Sequence, residues 1–158
     1  VVSSCVVSSC VVVALGHPSL TNCLAEFADQ LRGERRYFGR SAVPKPSRSM
    51  IERLMTLGSV NFGVMSDDQL IAIARVDDSS ELDIAVLADW RGNGIGSLLL
   101  RHTIERAEFV GHERIVLHSS RRSRPVAAIG QRSDATAVDY GDGRVDIIFA
   151  RQHRLGLA

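Results

Sequence analysis

Three glycines stand at alternate positions in the stretch ADWRGNGIGSLLLR, residues 88–101: Gly92, Gly94 and Gly96. A glycine in a helix interior costs about 1 kcal/mol relative to alanine, yet these three directly precede an apolar run that predicts a helix. Glycine permits positive φ angles and lets a bulky group approach the backbone closely. Exposed amides at a helix start, with the positive end of the helix dipole, form an anion site. The stretch therefore predicts a loop that binds a phosphate group.

Three kinds of phosphate-binding loop compete for this stretch. A P-loop requires the pattern GxxxxGK[ST], which the sequence does not contain. A dinucleotide fingerprint requires GxGxxG, but Ser97 stands in place of its third glycine, and His118 and Ser119 stand where its acidic residue is expected. The remaining pattern, Arg/Gln-x-x-Gly-x-Gly/Ala, is matched by residues 91–96.

Length and composition indicate one globular domain. The chain has 158 residues and a net charge of +1, so its charge indicates neither a nucleic acid nor an anionic membrane as a partner. The three cysteines have no metal-type spacing, which favours a reduced, cytoplasmic protein without a metal site. We expect residues 1–10, which repeat VVSSC and lack the basic start of a signal peptide, to form an extension that could reach the first strand. Residues 11–150 then form the domain and residues 151–158 a C-terminal tail.

Apolar residues at helical spacing predict the helices that position the glycine loop. Ser19 has the character of an N-cap, and Cys23 falls on the apolar face of the helix that follows, as a core residue. The predicted helices cover residues 19–33, 47–58 and 95–110, and a weak helix could open at Pro125.

Branched residues and turn signals predict the strands. These strands cover residues 11–15, 60–65, 70–76, 81–87, 114–118, 135–140 and 145–150. Strands and helices are interleaved along the chain, with the glycine loop between a strand and a helix. The order predicts an α/β fold with a mixed sheet.

Residues 81–110, ELDIAVLADWRGNGIGSLLLRHTIERAEFV, resemble the fourth strand, coenzyme A pyrophosphate loop and third helix of the GNAT N-acetyltransferases. The resemblance extends more weakly over residues 11–150. RRYFGR at 35–40 and SRP at 123–125 are similar to the catalytic domain of bacterial Pat-type protein lysine acetyltransferases. The resemblance implies the GNAT fold, a mostly antiparallel sheet of about seven strands flanked by helices. It also implies acetyl transfer from acetyl-CoA to an amine, which could be a protein lysine.

The resemblance further implies the residues that bind acetyl-CoA as co-substrate. Backbone amides of the glycine loop would hold the pyrophosphate, and main-chain groups at a splayed strand end would pair with the pantetheine arm. Ser123 falls where many members have an asparagine that touches the coenzyme. The implied loop consists of Arg91, Gly92, Asn93, Gly94, Ile95, Gly96 and Ser97, and the implied strand end of Ile84, Ala85 and Val86.

A carboxylate upstream of the loop has the chemistry of a general base. A lysine amine has a pKa near 10.4 and is protonated at neutral pH, so the reaction needs a group that takes its proton, directly or through one water. Glu81 matches the glutamate that serves as base in Pat-type enzymes. In an extended strand Glu81, Asp83 and Ala85 share one face, which makes Asp83 the second candidate.

The leaving thiolate has no obvious acid in this sequence. Many family members use a tyrosine in the last helix, and by register that position is near Gly130. A thiol with a pKa near 8.5 leaves tolerably without an acid, and Tyr37, His118 or Tyr140 could substitute. The alternative function is a catalytically degenerate GNAT domain that binds coenzyme A or a partner without turnover. The chain could also form a homodimer.

Overall fold

A sheet and two helices make up the part of the chain that the computed structural model describes, residues 9–33, 60–118, 135–142 and 144–149. The strands are β1 (Cys10–Ala14), β2 (Val60–Ser66), β3 (Gln69–Val76), β4 (Glu81–Val86), β5 (Arg114–His118), β6 (Ala135–Asp139) and β7 (Arg144–Phe149). The helices are α1 (Thr21–Gly33) and α2 (Ile95–Phe109), preceded by 3-10 turns at Pro18–Leu20 and Ala88–Trp90. The predicted helix at 47–58 and the weak helix from Pro125 lie outside the described residues.

The strands form one seven-stranded sheet in the order β1-β2-β3-β4-β5-β7-β6. All neighbours are antiparallel except β4 and β5, which run parallel. A parallel pair cannot be joined by a tight turn and needs a crossover, which α2 provides between these two strands. The mixed, mostly antiparallel sheet confirms the predicted fold class.

The start of the first helix differs from the prediction. Ser19 lies inside the 3-10 turn at Pro18–Leu20, so its predicted role as N-cap of the long helix is wrong. His17 caps the turn instead, because its Nδ1 accepts a hydrogen bond from the Ser19 backbone N–H at 3.2 Å. The Thr21 hydroxyl donates to the Pro18 carbonyl at 2.8 Å, which joins the turn to the helix.

Both faces of the sheet carry an apolar core. On one face α2 buries Ile95, Leu99, Leu100, Thr103, Ile104 and Ala107. On the other face α1 buries Leu24, Phe27, Ala28 and Leu31. Cys23 is only half-buried at the margin of this second core. Neither of the two helices described is long and apolar enough to cross a membrane.

Gly63 is required by close packing in the second core. A Cβ at this position would lie 2.6 Å from Leu70 Cδ1, 2.9 Å from Leu15 Cδ2 and 3.3 Å from the Ala72 carbonyl oxygen. Both leucines are buried, so their methyl groups have little room to move. We therefore expect Gly63→Ala to lower the free energy of unfolding by about 1–3 kcal/mol, as overpacked cores do. Urea unfolding measures this, and an unchanged midpoint would contradict the described packing.

Candidate active site

The two parallel strands are paired over a short stretch of the described residues. Glu81 pairs with Val116 and Leu82 with Leu117, and the Val116 N–H donates to the Ser80 carbonyl at 2.8 Å. β4 continues through residues 83–86, and none of these pairs with β5 in the described part of the chain. Within the described residues the sheet is therefore unpaired between β4 and β5 beside residues 83–86, and this part of the sheet is called the opening.

The ladder between β3 and β4 decides which backbone groups face this opening. The Asp77 N–H donates to the Glu81 carbonyl at 3.0 Å, and the Leu87 N–H to the Ile71 carbonyl at 2.9 Å. In an antiparallel ladder bonded pairs alternate with non-bonded pairs, so Ala85 exchanges its backbone hydrogen bonds with Ile73.

The intervening residues Ile84 and Val86 direct their backbone N–H and C=O groups away from β3, toward the opening. The Val86 carbonyl already accepts a hydrogen bond from Arg91 Nε at 2.9 Å. Of the three residues predicted to meet the pantetheine arm, two thus have backbone groups aimed at the opening, whereas Ala85 has its own engaged in the sheet.

The glycine loop connects the end of β4 to α2. Gly92 and Gly94 have φ angles of 77° and 78°, in the left-handed region that favours glycine. A Cβ on either would meet no atom within 4 Å, so conformation rather than crowding requires glycine at both positions. Gly96 has no positive φ, and a Cβ there would lie 3.6 Å from Val86 Cγ2, an ordinary contact.

The first turn of α2 presents open amides. Gly94 is the N-cap without a side-chain cap, and its carbonyl accepts the first helical bond, from the Leu98 N–H at 3.0 Å. The amides of Ile95, Gly96 and Ser97 therefore have no acceptor within the helix. The first turn also contains no acidic side chain. This end of α2 therefore has the chemistry that suits an anion, and phosphate binding there stays a prediction.

Side chains within the loop hold it in shape. The Asn93 side-chain amide donates to the carbonyls of Trp90 and Arg91, at 3.3 and 3.4 Å. Arg91 is tied to the end of β4 through Val86, as described above. The Asn93 side chain thus bonds within the loop, and the Arg91 side chain ties the loop to the end of β4.

The predicted carboxylate pair lies on the sheet face opposite α2. Leu82, Ile84 and Val86 pack into the α2 core, whereas Ala85 packs into the α1 core. Glu81 and Asp83 share the face of Ala85 by strand alternation. Glu81 is partly buried at the start of β4, and its backbone N–H donates to Asp77 Oδ1 at 3.0 Å.

Asp83 lies in a row of polar side chains across three strands. It is opposite Arg75 of β3, which is opposite Asn61 of β2. Burial raises the pKa of Asp83 to about 6; Arg75 opposes this increase, and the charges of Asp77 and Glu81 add to it. A carboxylate with this pKa can exchange a proton near neutral pH.

The sequence interpretation missed the two residues that accompany Asp83. Asn61 Oδ1 and Arg75 Nε are buried and have no hydrogen-bond partner among the residues described. Arg75 Nη2 lies 3.7 Å from Asp77 Oδ2. An arginine inside the apolar run LIAIARV was the available signal, because charged residues are seldom buried without a pairing or functional reason.

The structure brings together most, but not all, of the predicted site residues. The loop and residues 83–86 border one opening in the sheet, and Glu81 lies two residues before it, where β4 is still paired with β5. Ser123, Gly130 and Tyr37 lie outside the described residues, and only the backbone of His118 is described. The Tyr140 hydroxyl donates to Asp146 Oδ2 at 3.3 Å.

Comparison with known proteins places this geometry in a family. The acetyltransferase (GNAT) family model matches residues 26–130. No curated protein matches the sequence of the chain significantly.

Solved structures share the fold at low sequence identity. The GNAT domain of S. lividans PAT is similar with a TM-score of 0.65 and 19% identity, over 87% of this chain and 88% of that one. A GNAT family acetyltransferase from Brucella melitensis, in complex with acetyl-CoA, has a TM-score of 0.63 and 12% identity, over 89% and 88%. The ribosomal-protein-S18-alanine N-acetyltransferase of Escherichia coli has a TM-score of 0.59 and 15% identity, over 92% and 98%. Structural similarity at this level of sequence identity shows a shared fold and no more.

Proposed function

Because the chain belongs to the acetyltransferase (GNAT) family, we propose that it transfers the acetyl group of acetyl-CoA to an amine. The observation that carries the proposal is the set of open amides at the start of α2, next to the opening between β4 and β5. An anion site beside exposed strand backbone suits a ligand that combines a pyrophosphate with an amide-containing arm. The Brucella melitensis relative, whose structure contains acetyl-CoA, supports the choice of ligand.

In this proposal the chain binds the coenzyme mainly through its backbone. The amides from Gly92 to Ser97 hold the pyrophosphate, and those of Ile84 and Val86 bond the pantetheine arm. Arg91 positions the loop through its bond to β4. Ser123 remains a proposed contact outside the described residues.

The carboxylate face supplies the proton acceptor. The amine must lose a proton before its nitrogen forms a bond to the thioester carbonyl carbon and the carbon–sulfur bond breaks. We propose that Glu81 takes this proton, directly or through one water. The thiolate leaves without a dedicated acid, because its pKa near 8.5 makes it a tolerable leaving group. The Tyr140 hydroxyl, one of the candidate acids, donates its hydrogen bond to Asp146.

The proposal also includes the acceptor and the cellular location. We propose a protein lysine as acceptor, supported by the fold similarity to the GNAT domain of S. lividans PAT. We also propose a cytoplasmic location, supported by the odd number of three cysteines without metal-type spacing.

Replacement of Gly94 tests the proposed coenzyme site. An alanine with a left-handed φ is strained by about 1–2 kcal/mol, and the loop relieves this strain by turning its amides away from the ligand. We expect Gly94→Ala to raise the Kd of acetyl-CoA by about 5- to 30-fold in titration calorimetry.

The matched control is Gly96→Ala, since that position has no positive φ and has room for a Cβ. We expect its Kd to stay near that of the wild type, with both variants folded by circular dichroism. Thiol release from acetyl-CoA, measured with lysine peptides and small amines, then tests turnover. Coenzyme binding without thiol release for any amine would favour the alternative, a GNAT domain that binds without catalysis.

A further inference from the structure

A buried carboxylate lies two strands away from Glu81. The Asp146 side chain is 1% exposed and accepts two hydrogen bonds from Arg144, from Nε at 2.8 Å and from Nη2 at 2.9 Å. The Tyr140 hydroxyl donates to the same carboxylate, and Arg114 Nη1 lies 4.0 Å from it. The hydrogen bond from Arg144 lowers the pKa of Asp146, so this carboxylate is ionised at neutral pH.

Asp146 fixes the orientation of the Arg144 guanidinium. Two parallel hydrogen bonds hold the plane of the group, and its Cζ lies 4.8 Å from the centre of the Tyr140 ring. A guanidinium carries five N–H donors. Two of them bond Asp146, so the other three lie on the far edges of the group. The Arg144 side chain is 38% exposed, which leaves these edges accessible from solvent.

The sheet register places Arg144 beside the opening. Glu81 is opposite Val116 of β5, which is opposite Asp146 of β7. Neighbouring strands lie about 4.8 Å apart, so the Glu81 and Asp146 backbones are roughly 10 Å apart. β7 runs antiparallel to β5, so Arg144 lies further toward the end where β4 and β5 separate, level with Asp83.

Arg144 also lies on the same face as the carboxylate pair. Val145 and Ile147 pack into the core under α2, so Arg144 and Asp146 face the other side by alternation. Glu81 and Arg144 therefore lie on one face of the sheet, on the two strands that flank β5.

We propose that Arg144, positioned by Asp146 and Tyr140, binds a carboxylate of the acceptor, so that the preferred acceptor is an amine that also carries a carboxylate. This inference rests on the proposed function and specifies its acceptor class. A lysine side chain in a peptide with a nearby acidic residue has this chemistry, as does a small amine that ends in a carboxylate.

Matched acceptors test the inference. Two lysine peptides differ only in whether the neighbouring residues are glutamate or glutamine, and two small amines of equal length end in a carboxylate or an amide. In wild type we expect kcat/KM to be about tenfold higher for the acidic member of the preferred pair. The free energy of one hydrogen bond to a charged group corresponds to a factor of this size. Whichever pair shows the ratio identifies the source of the carboxylate.

Three variants distinguish binding by a positioned arginine from attraction by positive charge in general. Arg144→Gln should bring the ratio near one, and Asp146→Asn should reduce it by releasing the guanidinium. Arg114→Gln removes an equal charge from an exposed neighbour on the same face and should keep the ratio.

A ratio near one in wild type for both pairs, or a ratio that survives Arg144→Gln, overturns the inference. The same preference can be measured in wild type as the ratio of the two Kd values, for the neutral and the acidic acceptor, with coenzyme A present. This measurement requires neither turnover nor a folded variant. Absence of thiol release with a preserved binding ratio would therefore count against the proposed enzyme and not against Arg144.

Discussion

Replacing Glu81 by glutamine is expected to lower kcat/KM for acetyl transfer by about 10²- to 10⁴-fold, the usual contribution of a positioned general base. Glutamine keeps the size of the side chain and its place at the start of β4, where the strand is still paired with β5. It cannot take a proton from the ammonium form of the acceptor. The Kd of acetyl-CoA should stay unchanged, because the glycine loop lies at the other end of β4.

Asp83→Asn is the control for this experiment, since it places the same amide on the same face two residues away. We expect a smaller loss of kcat/KM than for Glu81→Gln. If Glu81→Gln retained the wild-type rate and Asp83→Asn lost it, the role of base would pass to Asp83. The pH profile gives a second criterion, because a base at Asp83 produces an acid limb near pH 6 that Asp83→Asn abolishes.

Asp83→Asn is also expected to change the pH dependence of stability. The pKa of Asp83 rises from 3.8 to about 6 in the folded protein, chiefly through burial. Between these values the folded chain binds more protons than the unfolded chain, so stability falls as pH rises, and the full penalty, about 3 kcal/mol, is present above the folded pKa. Asparagine carries no charge, so the Asp83→Asn variant does not have this penalty.

Urea unfolding at two pH values measures this penalty. From about pH 4.5 to about pH 8, the free energy of unfolding of Asp83→Asn should rise by about 2 kcal/mol relative to wild type. The comparison of differences removes the contribution of every other titrating group that the two proteins share. An identical pH dependence in both proteins would show that Asp83 is not buried as described.

Local signals were sufficient to predict most of the secondary structure. The run Arg114–His118 is a strand with the predicted bounds, and the helix at residues 95–110 ends one residue earlier than predicted. Period and turn residues are properties of neighbouring positions, so they are readable along the chain. The glycine loop was predictable for the same reason, because its motif is contiguous.

Features that depend on register were not predictable. The resemblance implied a splayed end for this strand, but the sequence does not show that the described residues of β4 and β5 share two pairs. Nor does it show that Ala85 bonds Ile73 while Ile84 and Val86 face the opening. Alternating glycines are equivalent in the sequence, yet only Gly92 and Gly94 have positive φ.

Polar residues inside strands were the other missed information. Asp146 stands in the apolar segment VDIIF, and its partner Arg144 is two residues away on the same face. Arg75 and Asn61 are adjacent only because β2 and β3 pair. Such groups acquire a role from their partners, and the partners are set by tertiary structure.

The bond from Arg91 to the Val86 carbonyl has a consequence for the thermodynamics of ligand binding. This bond and the Asn93 contacts join groups of the chain itself, so conformational entropy of the loop is lost during folding. A pre-organised site of this kind loses little further entropy when the coenzyme arrives, and more of the interaction energy appears as affinity. The ligand then stabilises the native state by mass action, by about 2.7 kcal/mol at a concentration 100 times its Kd.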